Sequence, residues 1–206
     1  METHPLWRPY DVPTEAAIAA ARVRTHVPEP VVVVAPDPAW PAAYDAVRRR
    51  LVAALGERVL EVQHVGSTSV PGLHAKPMID VDLTVPDSAR EDAWLPDLEA
   101  AGFVLRVREP DWEEHRLVRL DAPYANVHVW SPGAQEPRRH AAFRDWLSEH
   151  ADDRAAYADL KCSLGERGFT DAMLYNNAKG ALVYDIYERI FAADPAHAHT
   201  ARPRRE

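Results

Sequence analysis

Two acidic side chains, Asp80 and Asp82, are separated by one residue in the apolar run Ile79–Leu83. In an extended strand successive side chains point to opposite faces, so both carboxylates would lie on one face. Paired carboxylates suit Mg²⁺, which keeps several waters and is completed by the phosphates of a nucleotide. The spacing therefore predicts that Asp80 and Asp82 bind Mg²⁺ and orient a phosphate of a nucleoside triphosphate.

A Gly-Ser pair, Gly66-Ser67, precedes this strand, with Ser67 thirteen residues before Asp80. Glycine allows close approach of a phosphate to the backbone, and the serine hydroxyl and following amides can donate hydrogen bonds to phosphate oxygens. Either pattern alone is common in turns and at strand ends; their ordered combination favours phosphate and metal binding together. We expect Gly66, Ser67 and Thr68 to hold the terminal phosphates.

Other polar residues carry less weight. Lys76 stands in a loop just before the Asp80 strand and is a candidate phosphate ligand, although a lysine before proline is more often solvated. Lys161 and Lys179 fall on C-terminal helices, where a solvated face is the default. His64 is expected to be a structural hydrogen-bonding group beside the Gly-Ser turn. His197 and His199 are interpreted as part of a disordered tail rather than as a metal site.

The elements that must position these residues follow from hydrophobic periodicity and turn residues, which indicate an α+β chain. Strands are expected at 31–34, 59–65, 78–85, 103–107, 115–120 and 126–130. Helices are expected after a Thr14 cap, from Asp37-Pro38 to Gly56, at 86–101 with a distortion at Pro96, and at 138–149, 152–166 and 171–192. The predicted fold is a mixed β-sheet flanked by helices, with a C-terminal helical segment.

Length and composition limit the possible classes. With 206 residues and 47% hydrophobic residues, the chain is expected to form one domain at 31–192, after an N-terminal extension at 1–30 and before a disordered tail at 193–206. The net charge of −8 argues against a nucleic-acid polymer as partner. Neither a targeting segment nor a membrane span is evident, so a cytoplasmic protein is expected. The single cysteine, Cys162, excludes an internal disulfide and a thiolate metal cluster.

The segments His64–Leu73 and Lys76–Asp82 resemble the signature of the GrpB family, a branch of the nucleotidyltransferase superfamily with the polymerase-beta-like fold. The similarity runs from about Val31 to Phe191. It includes the spacing of Tyr175 and Lys179, which implies that Lys179 is a phosphate ligand whose charge would stabilise a transition state. A related domain is fused to dephospho-coenzyme A kinase, which implies a nucleotide or coenzyme context.

In the wider superfamily a third carboxylate on a neighbouring strand completes the metal site or acts as base. Here Asn126, His128 and Trp130 share that face and no acid does. His128 is therefore the candidate general base or an additional metal ligand, because an unperturbed histidine titrates near pH 6.5. Asp121, Glu113 and Glu114 are nearby acids that could substitute.

Three hypotheses follow. The first is an Mg²⁺-dependent transferase that moves a nucleotidyl group from a nucleoside triphosphate to a small-molecule acceptor activated by His128. The second is a non-catalytic nucleotide- or coenzyme-binding domain, motivated by the missing third acid. The third is a metal-dependent hydrolase, which would need His64, His128 and both aspartates to converge. The sequence leaves the acceptor, the preferred base and the oligomeric state open.

Overall fold

The computed structural model describes residues 2–24 and 29–204 of the chain. Its centre is a five-stranded sheet formed by β1 (Glu61–Val65), β2 (Ile79–Thr84), β3 (Val104–Glu109), β4 (His115–Asp121) and β5 (Tyr124–Trp130). The strand order is β1-β2-β5-β4-β3, in which β2 and β5 are parallel and the other neighbours are antiparallel. The predicted mixed sheet is thereby confirmed.

The described residues form six α-helices around this sheet: α1 (Glu15–Ala21), α2 (Trp40–Leu55), α3 (Leu95–Ala100), α4 (Glu136–Glu149), α5 (Ala151–Glu166) and α6 (Ala172–Ala193). The Thr14 hydroxyl caps α1 by accepting a hydrogen bond from the Ala17 amide at 3.2 Å. The three long helices after β5 confirm the predicted C-terminal helical segment. No helix of the described residues has the length and apolar character needed to cross a membrane.

The two faces of the sheet are covered by different helices. Helix α2 presents the apolar stripe expected from the sequence, and its buried residues Val47 and Leu51 belong to the same core cluster as Val81 and Leu83 of β2. The C-terminal helices contribute Leu147, Tyr157 and Ile186 to a second apolar cluster. The other two members, Val70 and Leu73, follow the Gly-Ser turn. Because strand side chains alternate, Asp80 and Asp82 point away from α2 and toward the C-terminal helices.

The strand predicted at 31–34 is wrong. Only Val34 forms a β-bridge, with Ala75, through hydrogen bonds of 2.8 and 3.1 Å. Val31 instead packs with Leu164 and Tyr175, and its amide donates to the Phe169 carbonyl at 2.8 Å. Val31 and Val33 lie against the C-terminal helices, whereas Val34 packs on the sheet core and Val32 is exposed, so the segment forms no strand.

The helix predicted at 86–101 is also wrong over most of its length, because helix α3 begins only at Leu95. Pro96 stands in the first turn of α3, where its missing amide hydrogen costs nothing, and so it does not distort the helix. Helix α2 likewise begins later than predicted, at Trp40. The Asp37 carboxylate accepts from the Ala39 amide at 2.8 Å just before it.

The two ends of the described chain pack on α6. Leu6 is buried with Tyr187 and Phe191, and the Trp7 indole donates to Glu188 Oε1 at 2.7 Å. Glu188 Oε2 accepts from the Arg202 amide at 2.7 Å. No helix or strand is assigned to 194–204. Residues 1 and 25–28 of the predicted extension and 205–206 of the predicted tail lie outside the described residues, and the domain limits remain a prediction.

Candidate functional site

The Gly-Ser turn lies directly against the first aspartate. Gly66 follows β1 with φ +67° and ψ −170°, a conformation that is essentially restricted to glycine. A Cβ atom at Gly66 would lie 2.6 Å from Asp80 Oδ2. The turn can therefore touch the Asp80 carboxylate only because residue 66 has no side chain.

Asp80 is a carboxylate with little hydrogen-bonding support. It pairs with Asn126 across the parallel β2–β5 ladder, and the Asn126 amide donates to Asp80 Oδ1 at a long 3.4 Å. Burial raises the pKa of Asp80 above its ordinary value, and this effect outweighs the opposing effects of Lys76, Asn126 and Lys179. The group is thus desolvated and has capacity to accept further contacts.

Asp82 is in a different situation, although it shares the face of Asp80 as predicted. It is 2% exposed, Oδ1 accepts from Trp130 Nε1 at 2.9 Å, and Oδ2 lies 2.9 Å from His140 Nδ1. Burial by itself raises the pKa of Asp82, but the charge and hydrogen bond of His140 lower it below its ordinary value. Burial by itself lowers the pKa of His140, but Asp82, together with Glu136 and Asp80, raises it above its ordinary value. The two groups therefore form an ion pair.

His128 lies beside Asp82 in the β2–β5 register and takes part in a histidine network. Its Nδ1 is 3.0 Å from His115 Nε2, and His115 Nδ1 is 2.7 Å from Glu109 Oε2. Burial, followed by the charge of His115, lowers the pKa of His128 to about 3. His128 is thus a neutral imidazole at neutral pH, and it is not among the residues that line the cavity described below.

Thr68 and His64 face away from the aspartates. Thr68 is buried, its hydroxyl lies 3.0 Å from His64 Nε2, and it donates to the Met78 carbonyl at 3.4 Å. The His64 ring stacks on Tyr44 at 4.6 Å between centroids. The structure therefore gives His64 the structural position that we expected and places the Thr68 side chain on the support of the turn.

A cavity of about 80 Å³ opens where the turn, β2 and the C-terminal helices meet. Its lining combines polar and aromatic residues: Ser67, Lys76, Met78, Asp80, Asn126, Lys161, Tyr175, Asn176 and Lys179. We call this the lysine cavity. It brings together Ser67, Lys76, Asp80 and Lys179 of the predicted site residues, and it adds Lys161.

Lys161 contradicts the expectation of a solvated helix face. It is 1% exposed, and its Nζ donates to Ser67 Oγ at 3.0 Å and to the His74 carbonyl. Both acceptors are neutral. Burial, followed by the nearby charge of Lys179, lowers the pKa of Lys161 to about 7.

The other two lysines also face the cavity. Lys179 Nζ lies 4.5 Å from the centre of the Tyr175 ring, and burial lowers the pKa of Lys179 to about 8 against the opposing attraction of Asp80. Burial lowers the pKa of Lys76 as well, again opposed by Asp80. All three lysines are therefore partly or wholly removed from water, and they line one cavity together with Asp80.

A compositional signal for this cavity was available in the sequence. Only three of the 24 lysines and arginines in the chain are lysines, and all three line the lysine cavity. Lysine is a compact point charge that can lose its proton, whereas arginine is a broad planar cation that cannot. In a chain that otherwise uses arginine, the positions that keep lysine stand out.

A second cavity, of about 210 Å³, adjoins the first and shares Lys76 with it. It is lined by Glu29, Pro30, Val31, Val32, Lys76, Pro77, Arg119, Tyr124 and Ala172. Arg119 Nε donates to Asn126 Oδ1 at 3.2 Å, so Arg119 contacts the same amide that donates to Asp80. Hydrogen bonds from Arg119 to Asn126 and from Asn126 to Asp80 thus connect the linings of the two cavities.

The donors at this face fit a divalent metal poorly. Asp80 has a carboxylate that can accept further contacts, but the Asp82 oxygens already accept from His140 and Trp130. Within the described residues, one group of three or more His, Cys, Asp or Glu side chains has ligand atoms within 4.8 Å of one another, and it is formed by His4, Asp194 and His197. Among the described residues, the four of the hydrolase hypothesis therefore form no common metal position, and of the two aspartates of the transferase hypothesis Asp80 alone lines the lysine cavity.

Comparison with known proteins agrees with this fold. The family model "GrpB protein" matches residues 30–189. A UPF0157 protein of Halalkalibacterium halodurans is 46% identical over 153 residues, which cover 74% of this chain and 78% of that protein. The crystal structure of GrpB from Enterococcus faecalis superposes with a TM-score of 0.69 at 29% identity, covering 78% of this chain and 98% of that one.

A longer relative is also similar. The dephospho-CoA kinase of Mycolicibacterium paratuberculosis is 33% identical over 186 residues, and the match covers 78% of this chain but only 46% of the kinase. The family match extends over most of the described chain, including the Gly-Ser turn, the Asp80 strand and the three lysines. The chain belongs to the GrpB family.

Proposed function

We propose that the protein binds the phosphate groups of a nucleotide or coenzyme in the lysine cavity. The observation that carries this proposal is the charge balance, since three lysines and one aspartate line the cavity. A charged group removed from water is costly unless an opposite charge accompanies it. Lys161 has only neutral acceptors among the hydrogen bonds of its Nζ. A bound anion would supply the negative charge that the cavity lacks.

Phosphate suits this cavity better than a larger anion. Pockets that enclose a whole organic ligand typically measure about 300–1,000 Å³, and the lysine cavity measures about 80 Å³. It therefore admits a compact group. The Ser67 hydroxyl and Asn176 offer neutral hydrogen-bonding partners beside the ammonium groups. Donors of this kind around a small anion are typical of phosphate sites.

The organic part of the ligand would occupy the second cavity. That cavity is larger, shares Lys76 with the lysine cavity, and has Tyr124 and apolar residues in its lining. A ligand with its phosphate between the three lysines and its remaining part beside Tyr124 would fill both. The similarity to a dephospho-CoA kinase supports a nucleotide or coenzyme as the class of ligand.

Mg²⁺-dependent nucleotidyl transfer to a small-molecule acceptor is the second candidate. Asp80 and Asp82 share one face beside the Gly66-Ser67 turn, which favours it. In that case Ser67 and Lys179 would orient the phosphates and His128 would lie near the acceptor. In this case a metal would have to share the Asp82 carboxylate with His140 and Trp130, which already contact its oxygens.

Isothermal titration of the full chain with inorganic phosphate, ATP and coenzyme A tests the proposal. Lys179→Met should weaken binding at least about tenfold, because a hydrogen bond to a charged group is worth about 1.5–3 kcal/mol. Arg49→Met is the matched control, since it removes a positive charge from an exposed position on α2. Absence of binding by the folded wild-type protein, or equal loss in both variants, would refute phosphate binding in this cavity. Product formation from ATP and an acceptor would add the transferase activity.

A further inference from the structure

The residues around Asp80 indicate whether the proposed phosphate binding needs a metal ion. This inference rests on that proposed binding. We propose that Lys76, Lys161 and Lys179 bind the phosphate without a divalent cation, and so take the place that Mg²⁺ has at a site with two free carboxylates. The anion at this site would thus be neutralised by ammonium groups of the chain rather than by a metal ion.

The position of Asp82, the second carboxylate that a metal would need, disfavours a metal at this site. Asp82 does not line the lysine cavity, and its oxygens accept from Trp130 and His140. His140 is held on its other side by Glu136, whose Oε2 lies 3.7 Å from His140 Nε2. A metal at Asp82 would have to compete with Trp130 and His140 for the carboxylate oxygens, and it would lie beside the positive charge of the His140 side of the pair. Weakening a buried ion pair in this way is unfavourable.

The sign of the net charge in the lysine cavity also favours an anion over a metal ion. With all three lysines protonated, the lysine cavity carries one negative and three positive groups. Adding a divalent cation would increase an existing excess of positive charge in a poorly solvated space, where like charges repel strongly. Adding a phosphate would reduce that excess. The residues therefore match an anion that arrives without its own cation.

Two of the lysines, Lys161 and Lys179, are also held in place by neighbouring groups. Lys161 donates to Ser67 Oγ and to the His74 carbonyl, and so it fixes both its own ammonium group and the serine hydroxyl. Lys179 is flanked by the rings of Tyr175 and Tyr157 at 4.5 and 5.8 Å. Ammonium groups positioned before the ligand arrives require little reorganisation on binding. A fixed set of cations can thus perform the neutralising role of a metal.

The test compares binding with and without metal. Inorganic phosphate and ATP are titrated into the full chain once in EDTA and once in excess Mg²⁺, and Mn²⁺ is titrated into the protein alone. We expect phosphate to bind with the same affinity in both buffers and ATP to bind at least as tightly in EDTA. No Mn²⁺ should bind at Asp80, as followed by the paramagnetic broadening of resonances around β2.

Variants of two lysines keep the test independent of folding. Lys179→Met and Lys76→Met should each weaken phosphate binding at least tenfold in EDTA, while the matched Arg49→Met variant should bind like wild type; thermal melting confirms that each variant is folded. Binding that appears only with Mg²⁺ would overturn this inference and leave the proposed phosphate binding intact. Absence of binding in both buffers would overturn the proposed function, and this inference with it.

Discussion

His140 Nδ1 lies 2.9 Å from Asp82 Oδ2, so helix α4 is joined to strand β2 by an ion pair on the face that carries both aspartates. Because of this pair, Asp80 and Asp82 have different chemical environments. Asp80 faces the lysine cavity with one long hydrogen bond, and Asp82 is neutralised by a histidine that no local pattern connects with it. The Asp82–His140 pair should therefore contribute to the free energy of unfolding.

His140→Ala should lower the free energy of unfolding by about 3–5 kcal/mol, because it leaves the buried Asp82 charge without its partner. Asp82→Asn combined with His140→Ala should cost clearly less than the sum of the two single changes. Urea denaturation of the four proteins at neutral pH gives the coupling energy. Strictly additive effects would show that the two side chains do not interact.

The Asp82–His140 pair should also impose a pH window on stability. The pKa of His140 is raised above 6.5, so its contribution is complete below that value and is lost as pH rises through the folded pKa. The pKa of Asp82 is lowered below 3.8, so its contribution is complete above that value and is lost as pH falls through the folded pKa. The stability difference between wild type and Asp82→Asn/His140→Phe should therefore be greatest between these two ordinary values. A difference that does not vary with pH would contradict the ion pair.

Gly66→Ala should be strongly destabilising, by about 2–4 kcal/mol, since it combines a glycine-only backbone conformation with a steric clash. The new Cβ would lie 2.6 Å from Asp80 Oδ2, so phosphate binding should be lost as well. Gly72→Ala provides the control, because Gly72 also has a positive φ, +77°, but has no atom within 4 Å of a Cβ added there. Thermal and urea denaturation compare the two variants, and equal losses would argue against the close contact of the turn with Asp80.

Lys161→Met should stabilise the ligand-free protein while abolishing phosphate binding. Burial lowers the pKa of Lys161 from 10.5 to about 7, so the folded state holds this ammonium group at a cost at neutral pH. The unfolded chain binds more protons between these values, so wild-type stability rises with pH across that range. The advantage of the variant should be a few kcal/mol near pH 7 and should shrink toward pH 10.

Denaturation curves for Lys161→Met at several pH values, beside Arg49→Met, measure this effect. A Lys161→Met protein that is less stable than wild type at neutral pH would show that the hydrogen bonds of Lys161 to Ser67 and His74 outweigh the cost of its burial.

Local patterns were sufficient for one part of the site. Alternation along β2 placed Asp80 and Asp82 on one face, and the β2–β5 register confirms it. The Gly66 turn was recognised because glycine followed by serine has a local conformational meaning. These features depend on residues that are close in sequence.

The remaining features depend on contacts distant in sequence. Lys161 was expected on a solvated face because nothing within α5 shows that this helix packs over Ser67, 94 residues earlier. His140 was missed for the same reason, since its partner on β2 is 58 residues away. The wrong strand prediction at 31–34 is a further case, because a run of valines is typical of a strand but Val31 and Val33 pack with residues of α5 and α6. Tertiary packing overrides local propensity at such positions.

The confinement of all three lysines to one cavity makes this protein chemically addressable at a single place. Reagents or enzymes that acylate or alkylate lysine side chains can react only there, apart from the terminal amine. Isotopic labelling of lysine would likewise give spectra with three side-chain signals, every one of them from the wall of the cavity. Any acetylation of a lysine in this chain would remove one of the positive charges that line the lysine cavity.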